Sequence, residues 1–214
     1  SSSINRILVW LGIFWMRTLA VDCGAGADGG KVRRKVVPCP GAEGASSGFV
    51  IKQDAPKMED GSAGAPGLLA VPQNRYNGYI QGFYPTFTVR PGDKFQATVG
   101  CEQGAACYLT YRLDYVTAAG YLGTFWTWRE QNEGKIYNAD IDLTPLAGRS
   151  VRFVLTILAA GYATNDRAIW GSPRITRAGG APPVTVTPPT ITPVPPTLTP
   201  IPQPGDWLTY NNTA

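Results

Sequence analysis

A chain of 214 residues with 19 lysines and arginines, 15 acids and no histidine carries a formal charge of only +4. Without histidine there is no Ser-His or Cys-His nucleophile pair and no imidazole metal ligand. The modest charge is not the broad basic face of a nucleic-acid binder, so no nucleic-acid partner is expected. Abundant glycine (25), proline (19) and aromatics (11%), with only two methionines, suit short strands and tight turns better than helices.

The chain opens with its most apolar stretch, INRILVWLGIFWMRTLAVDC. The run over residues 7–16 lies between Arg6 and Arg17 and is too short to span a bilayer. Two readings stay open for residues 1–22. One is a signal-like segment, which gives the only membrane contact expected. The other is a retained assembly segment whose alternating faces, carried by Ile7, Val9, Trp10, Leu11, Phe14 and Trp15, need a partner surface. KVRRK follows, with Lys31, Arg33, Arg34 and Lys35, and reads as a solvated basic loop able to touch acidic glycans.

Cys23, Cys39, Cys101 and Cys107 show no C-x2-4-C zinc knuckle. Two local disulfides are the better reading, Cys23–Cys39 closing a Gly/Ala-rich loop over residues 23–46 and Cys101–Cys107 closing GCEQGAAC. They place the protein outside the cell, secreted or on its surface.

From residue 47 to 178, apolar patches alternate with turn signals at roughly ten-residue spacing, which predicts an all-β antiparallel sandwich of jelly-roll type. The expected strands are GFVIKQ, GLLAV, YNGYIQGF, TFTVR, KFQATVGC, CYLTYRLDY, YLGTFWTWRE, KIYNADIDL, SVRFVLTILA and SPRITR. Arg90-Pro91-Gly92-Asp93 reads as a type II turn and TPLAG as one helical turn. Within YLGTFWTWRE, alternation puts Trp126, Trp128 and Glu130 on one face and Phe125 on the other. If Phe125 points inward, Tyr121, Trp126, Trp128 and Glu130 form a sugar-binding shelf or a subunit contact; otherwise the tryptophans are core. Glu102, Asp114, Glu130, Glu133, Asp140, Asp142 and Asp166 show no spacing that singles out a glycosidase pair, so no enzyme is expected.

The order FTVRPGDKFQATVGC, YLTYRLDY, YNADIDLTPLAGRSVRFVLTI and DRAIWGSPRI resembles carbohydrate-binding modules attached to glycoside hydrolases, which have a galactose-binding-like jelly roll. The matching positions are Phe95, Ala97, Val99, Gly100 and Asp114, then Asp140, Asp142, Leu143 and Leu146, then Asp166, Ala168, Trp170, Pro173 and Ile175. The resemblance implies that Trp170 plugs the core and Asp166 caps a loop. It also raises structural calcium, with Asn138, Asp140, Asp142 and Asp166 as oxygen donors, although Leu143 and Arg149 stand where a calcium loop wants Gly and Glu. No other cofactor or metal is expected.

Residues 179–205 form a Pro/Thr ribbon that favours polyproline II, and at ~3.1 Å per residue the 25 residues from 181 to 205 reach roughly 75 Å. Thr185, Thr187, Thr190, Thr192, Thr197 and Thr199 are O-glycosylation candidates and Asn211 an N-glycosylation candidate. Residues 206–214 read as a tail or as the start of a further domain. Two functions compete. One is a non-catalytic extracellular filament or surface layer, a glycosylated homopolymer docked through its ends. The other is a carbohydrate-binding module of a larger secreted protein, followed by a linker.

Overall fold

A computed structural model describes residues 13–15, 22–26 and 35–177, with side chains from residue 37. Twelve strands lie among them: β1 Ile13–Trp15, β2 Asp22–Gly26, β3 Lys35–Val37, β4 Phe49–Gln53, β5 Gly67–Val71, β6 Tyr79–Thr88, β7 Lys94–Cys101, β8 Tyr108–Thr117, β9 Leu122–Gln131, β10 Tyr137–Asp142, β11 Ser150–Ala159 and β12 Ala168–Thr176. They pair antiparallel into two six-stranded sheets. Sheet A runs β10-β7-β12-β5-β4, with β1 also on β12, and sheet B runs β3-β2-β6-β11-β8-β9. The result is an antiparallel sandwich consistent with the expected jelly roll.

Period-two alternation sets the core. In β8, Leu109, Tyr111 and Leu113 are fully buried, and in β11 Val151, Phe153, Leu155 and Ile157 share the same inward side. Sheet A answers with Phe95, Ala97, Val99 and Trp170. Trp170 is 1% exposed and meets Phe95 and Tyr111 edge to face at ring separations of 6.0 and 4.8 Å. The Tyr111 hydroxyl crosses from sheet B to sheet A, donating to the carbonyl of Gly100 at 2.6 Å, with the Ile169 carbonyl at 3.1 Å. A smaller cluster of Phe49, Met58, Leu69 and Ile169 forms around Met58, from the loop between β4 and β5. Gly67 is required where β5 presses on β12, since a Cβ there would lie 2.2 Å from the Trp170 carbonyl oxygen.

The turns follow their residues. Gly92 has φ 79°, and the Asp93 N–H donates to the Arg90 carbonyl. TPLAG supplies a 3₁₀ turn over Thr144–Leu146. Three elements differ from expectation. Residues 23–26 and 35–37, expected inside a loop, lie on strands that extend sheet B. YNGYIQGF and TFTVR merge into β6, although Pro85 interrupts them. Pro85 is tolerated because β2 pairs only as far as Phe83 and the β11 register slips opposite it, so its missing N–H breaks no regular ladder. β12 starts earlier than SPRITR, at Ala168, because the buried AIWG segment is itself paired to β5 and β7.

The apolar N-terminal segment is used within the chain where it is described: Ile13, Phe14 and Trp15 pair with Thr176, Ile175 and Arg174 of β12. Phe14 and Trp15, expected to need a partner surface, lie on this strand. Ile7, Val9, Trp10 and Leu11 lie outside the described residues. Residues 178–214 lie outside the described residues, and with them the glycosylation candidates Thr185, Thr187, Thr190, Thr192, Thr197, Thr199 and Asn211.

Trp170→Ala should destabilise the domain by about 3–5 kcal/mol, the usual cost of emptying a large core site, and Tyr111→Phe by about 1–3 kcal/mol through lost inter-sheet bonds. Urea unfolding monitored by circular dichroism measures both; a change below the error for Tyr111→Phe would show that the hydroxyl is not a tie between the sheets.

Candidate functional site

The expected shelf on β9 does not form as one surface. Leu113 pairs with Trp126 and Asp114 with Thr124, so Phe125 is an extra, bulged residue. Trp126 and Trp128 sit opposite the buried Leu113 and Tyr111 and so face the sandwich interior, half-buried against the core together with Phe125. Trp128 packs on Tyr137 of β10 at a ring separation of 4.8 Å, so the two edge strands close one side of the sandwich. Tyr121 is 64% exposed but sits at the β8–β9 hairpin, near Tyr115. Nine residues of extended chain put it on the order of 30 Å from Glu130.

Glu130 is buried, and its carboxylate accepts the Trp128 indole N–H at 2.9 Å. Burial pushes its pKa up to about 7, the Trp128 bond opposes the shift, and nearby Glu59 adds to it. Glu59 accepts backbone N–H groups from Cys101 at 2.7 Å, Glu133 at 3.0 Å and Gly134 at 3.2 Å. It therefore ties its own loop to the end of β7 and to the turn at Glu133 and Gly134. Glu59, Cys101 and Glu130 place ligand-type atoms within 4.8 Å of one another. The Cys101 sulfur is committed to the disulfide with Cys107, whose Cα atoms lie 6.2 Å apart. Glycoside hydrolysis needs two carboxylates flanking an open cleft. Buried Glu130 beside fully occupied Glu59 offers no such opening, so the pair is a structural lock.

The other expected positions are placed as follows. Cys39 is disulfide-bonded, and Cys23 lies on β2 opposite Val37, its side chain outside the described residues. Asn138, Asp140 and Asp142 line β10 but bond separately, to Thr98, Lys94 and Thr144. Asp166 accepts the Tyr108 N–H at 2.9 Å, which is the loop-capping role expected of it, and burial pushes its pKa up to about 6. The four oxygen donors proposed for calcium are thus not brought together; Arg167 instead bridges Glu102 and Glu43 beside Asp166.

Two surfaces were not singled out in the sequence. The first is an exposed aromatic pair at one end of the sandwich. Tyr76, in the loop before β6, is 59% exposed, and Tyr162, after β11, is 76% exposed; their rings meet edge to face at 5.4 Å. Their loops are bonded to each other. The Asn77 N–H donates to the Gly161 carbonyl at 2.6 Å, the Gly161 N–H to the Asn77 side-chain oxygen at 3.1 Å, and the Ala163 N–H to the Arg75 carbonyl at 3.3 Å. Asn77 holds φ 50°, a left-handed conformation that asparagine tolerates. The sequence signal was tyrosine beside turn residues, in YNG and GYATND, where an aromatic ring has no strand face to pack on.

The second is the outward face of sheet B. Asp114, fully buried, accepts from Arg112 at 2.8 Å and from Thr156 at 2.8 Å, and Gln81 donates to Thr156 at 3.2 Å. Arg129 lies over the Tyr108 ring at 5.2 Å, and Arg152 over Phe83 at 5.6 Å.

No protein-family model and no curated sequence matches this chain. Solved structures resemble it as sandwiches. The carbohydrate-binding module TmCBM61, solved with beta-1,4-galactotriose, aligns over 61% of this chain and 81% of its own at 10% identity and a TM-score of 0.40. The C-terminal family 22 carbohydrate-binding module of Clostridium thermocellum Xyn10B aligns over 78% of this chain and 98% of its own, at 10% identity and TM-score 0.42. The CBM22-1–GH10 modules of the same xylanase, solved with xylohexaose, align at 10% identity and TM-score 0.43, and this chain spans 28% of that longer protein.

Glu130 sets a pH dependence. Its folded pKa of about 7 stands above the ordinary value of 4.5, so the folded state holds the proton more tightly. The resulting stability is fully present below pH 4.5 and is lost as pH rises to about 7. Glu130→Gln keeps an acceptor for Trp128 and cannot ionise. It should raise stability at pH 8 by on the order of 2 kcal/mol and leave stability at pH 4 nearly unchanged. Thermal unfolding across that range reads the difference, and parallel curves for the two proteins would show that Glu130 is not the titrating group.

Proposed function

We propose that this protein is a non-catalytic, extracellular carbohydrate-binding module, with the Tyr76–Tyr162 pair as its saccharide platform. The observation that carries the reading is the exposure of two flat aromatic rings on loops that are already bonded into shape. Neither ring contributes much to the core, so the fold gains little from them. A sugar presents C–H faces that pack on such rings while neighbouring polar groups orient its hydroxyls. Asn74, Arg75 and Asn77 flank the pair. Loops tied before binding lose little entropy when the ligand arrives. The Cys101–Cys107 disulfide and the bonded state of Cys39 fit an oxidising, extracellular setting. The Pro/Thr ribbon suits a spacer to a further domain or a surface.

This reading is preferred to the self-assembling filament, because the described part of the N-terminal segment is paired to its own β12.

Tyr76→Ala/Tyr162→Ala should weaken binding to a soluble polysaccharide at least ~10-fold, about 1.4 kcal/mol, with an unchanged unfolding temperature. Affinity electrophoresis against galactan, xylan, mixed-linkage glucan and polygalacturonate provides the panel. Unchanged affinity in the double variant, or no retardation of the wild type by any glycan, would overturn the assignment.

A further inference from the structure

The outward face of sheet B carries a charge pattern that the tyrosine platform does not use. Strand register puts Tyr108, Thr110, Arg112, Asp114 and Val116 of β8 on this face, since Leu109, Tyr111 and Leu113 point inward. Arg129 of β9 pairs with Thr110, and Arg112 pairs with Thr156 of β11, so Arg129, Arg112 and Arg152 share the face. They step across three adjacent strands, β9, β8 and β11. From the Arg129 row, level with Leu158, to the Arg152 row is six residues of β11. At ~3.4 Å per residue and ~4.8 Å per strand, the diagonal is on the order of 22 Å. That length fits a chain segment rather than a single sugar.

The charges are unbalanced. On β6, β8, β9 and β11 the outward side bears these three arginines and one carboxylate, Asp114. Asp114 is spent on Arg112, which also reaches Thr124. Arg129 and Arg152 meet no carboxylate among the described residues. Each is instead oriented by an aromatic ring beneath it, and Arg152 also donates to the Tyr84 carbonyl at 3.2 Å. A planar guanidinium fixed over a ring keeps donor edges free for an anion, and its fork matches a carboxylate or a sulfate. Thr110, paired with Arg129, and Thr127, paired with Arg112, supply neutral hydrogen-bonding groups beside the cations. Arg129 begins the track at the end of the sandwich that carries Tyr76 and Tyr162, because the Ala160 N–H, one residue past β11, donates to the Tyr108 carbonyl.

We propose that this arginine diagonal binds an anionic polysaccharide, with Arg129 and Arg152 contacting acidic groups on successive parts of one chain. The inference rests on the saccharide-binding reading for the nature of the polymer, and the charge pattern adds its acidity. Arg112 is a positioning residue, held by Asp114 at the middle of the track.

The test is titration of the whole chain with polygalacturonate, with a sulfated dextran and with neutral galactan, at low and high ionic strength. Arg129→Gln/Arg152→Gln should lose at least ~10-fold in affinity for the acidic polymer and keep its affinity for the neutral one. Arg129→Lys/Arg152→Lys, which keeps charge without the fork, should fall between, and equal unfolding temperatures exclude loss of fold. Preference for polygalacturonate over sulfated dextran assigns carboxylate as the anion, and the reverse assigns sulfate. Wild-type binding to acidic polymers no tighter than to galactan would overturn the proposal and leave the tyrosine platform standing. Undiminished acidic binding by the glutamine variant would also overturn it, as would competition by single-stranded RNA equal to that of polyuronate. Absence of binding to every glycan sinks the saccharide reading itself.

Discussion

Tyr111 holds the two sheets in register. Its ring packs edge to face on Trp170 of the opposite sheet, and its hydroxyl bonds to the backbone of Gly100 and Ile169 on two neighbouring strands. Stacked sheets need about 10 Å between them, and a tyrosine reaching backbone groups across that gap fixes the spacing in one direction. Burial raises the phenol well above its ordinary pKa. Because β7 and β12 are both gripped, the loops that follow β7 and precede β12 start from fixed points.

Those loops are where the polar chemistry gathers. Glu59 gathers the 132–134 turn and the end of β7, the Cys101–Cys107 bridge closes the next loop, and Asp166 caps the start of β8. The acids that looked most like chemistry in the sequence are thus mainly fasteners. Exposed side chains remain where the fasteners leave them over. At the loop end the bonded 75–78 and 161–163 segments leave two tyrosines in water, and on the face of sheet B a single buried aspartate leaves two of three arginines without a carboxylate among the described residues.

The β9 strand shows how far sequence reasoning could go. Alternation rightly grouped Trp126, Trp128 and Glu130 on one side. It could not say which side, because a single bulged residue, Phe125, shifts the alternation within the strand. Likewise, β2 and β3 are Gly-rich or very short and carry little apolar pattern, so only the pairing of β2 with β6 and of β3 with β2 reveals them as strands. YNGYIQGF and TFTVR, expected as two strands, run as one across Pro85, where β2 stops before reaching it.

What the sequence determined by itself was the class: an all-β sandwich from spacing and alternation, turns at Pro-Gly and Gly positions, a local Cys101–Cys107 bridge, a core tryptophan at position 170 and the lack of histidine chemistry. These are properties of near neighbours in the chain, which pattern can encode. Tertiary structure alone decided the surfaces. Tyr76 and Tyr162 are 86 residues apart in sequence, and Arg129, Arg112 and Arg152 align only because β8 sits between β9 and β11. Strand order is set by the burial of whole faces, and no local pattern records which strands that burial makes neighbours.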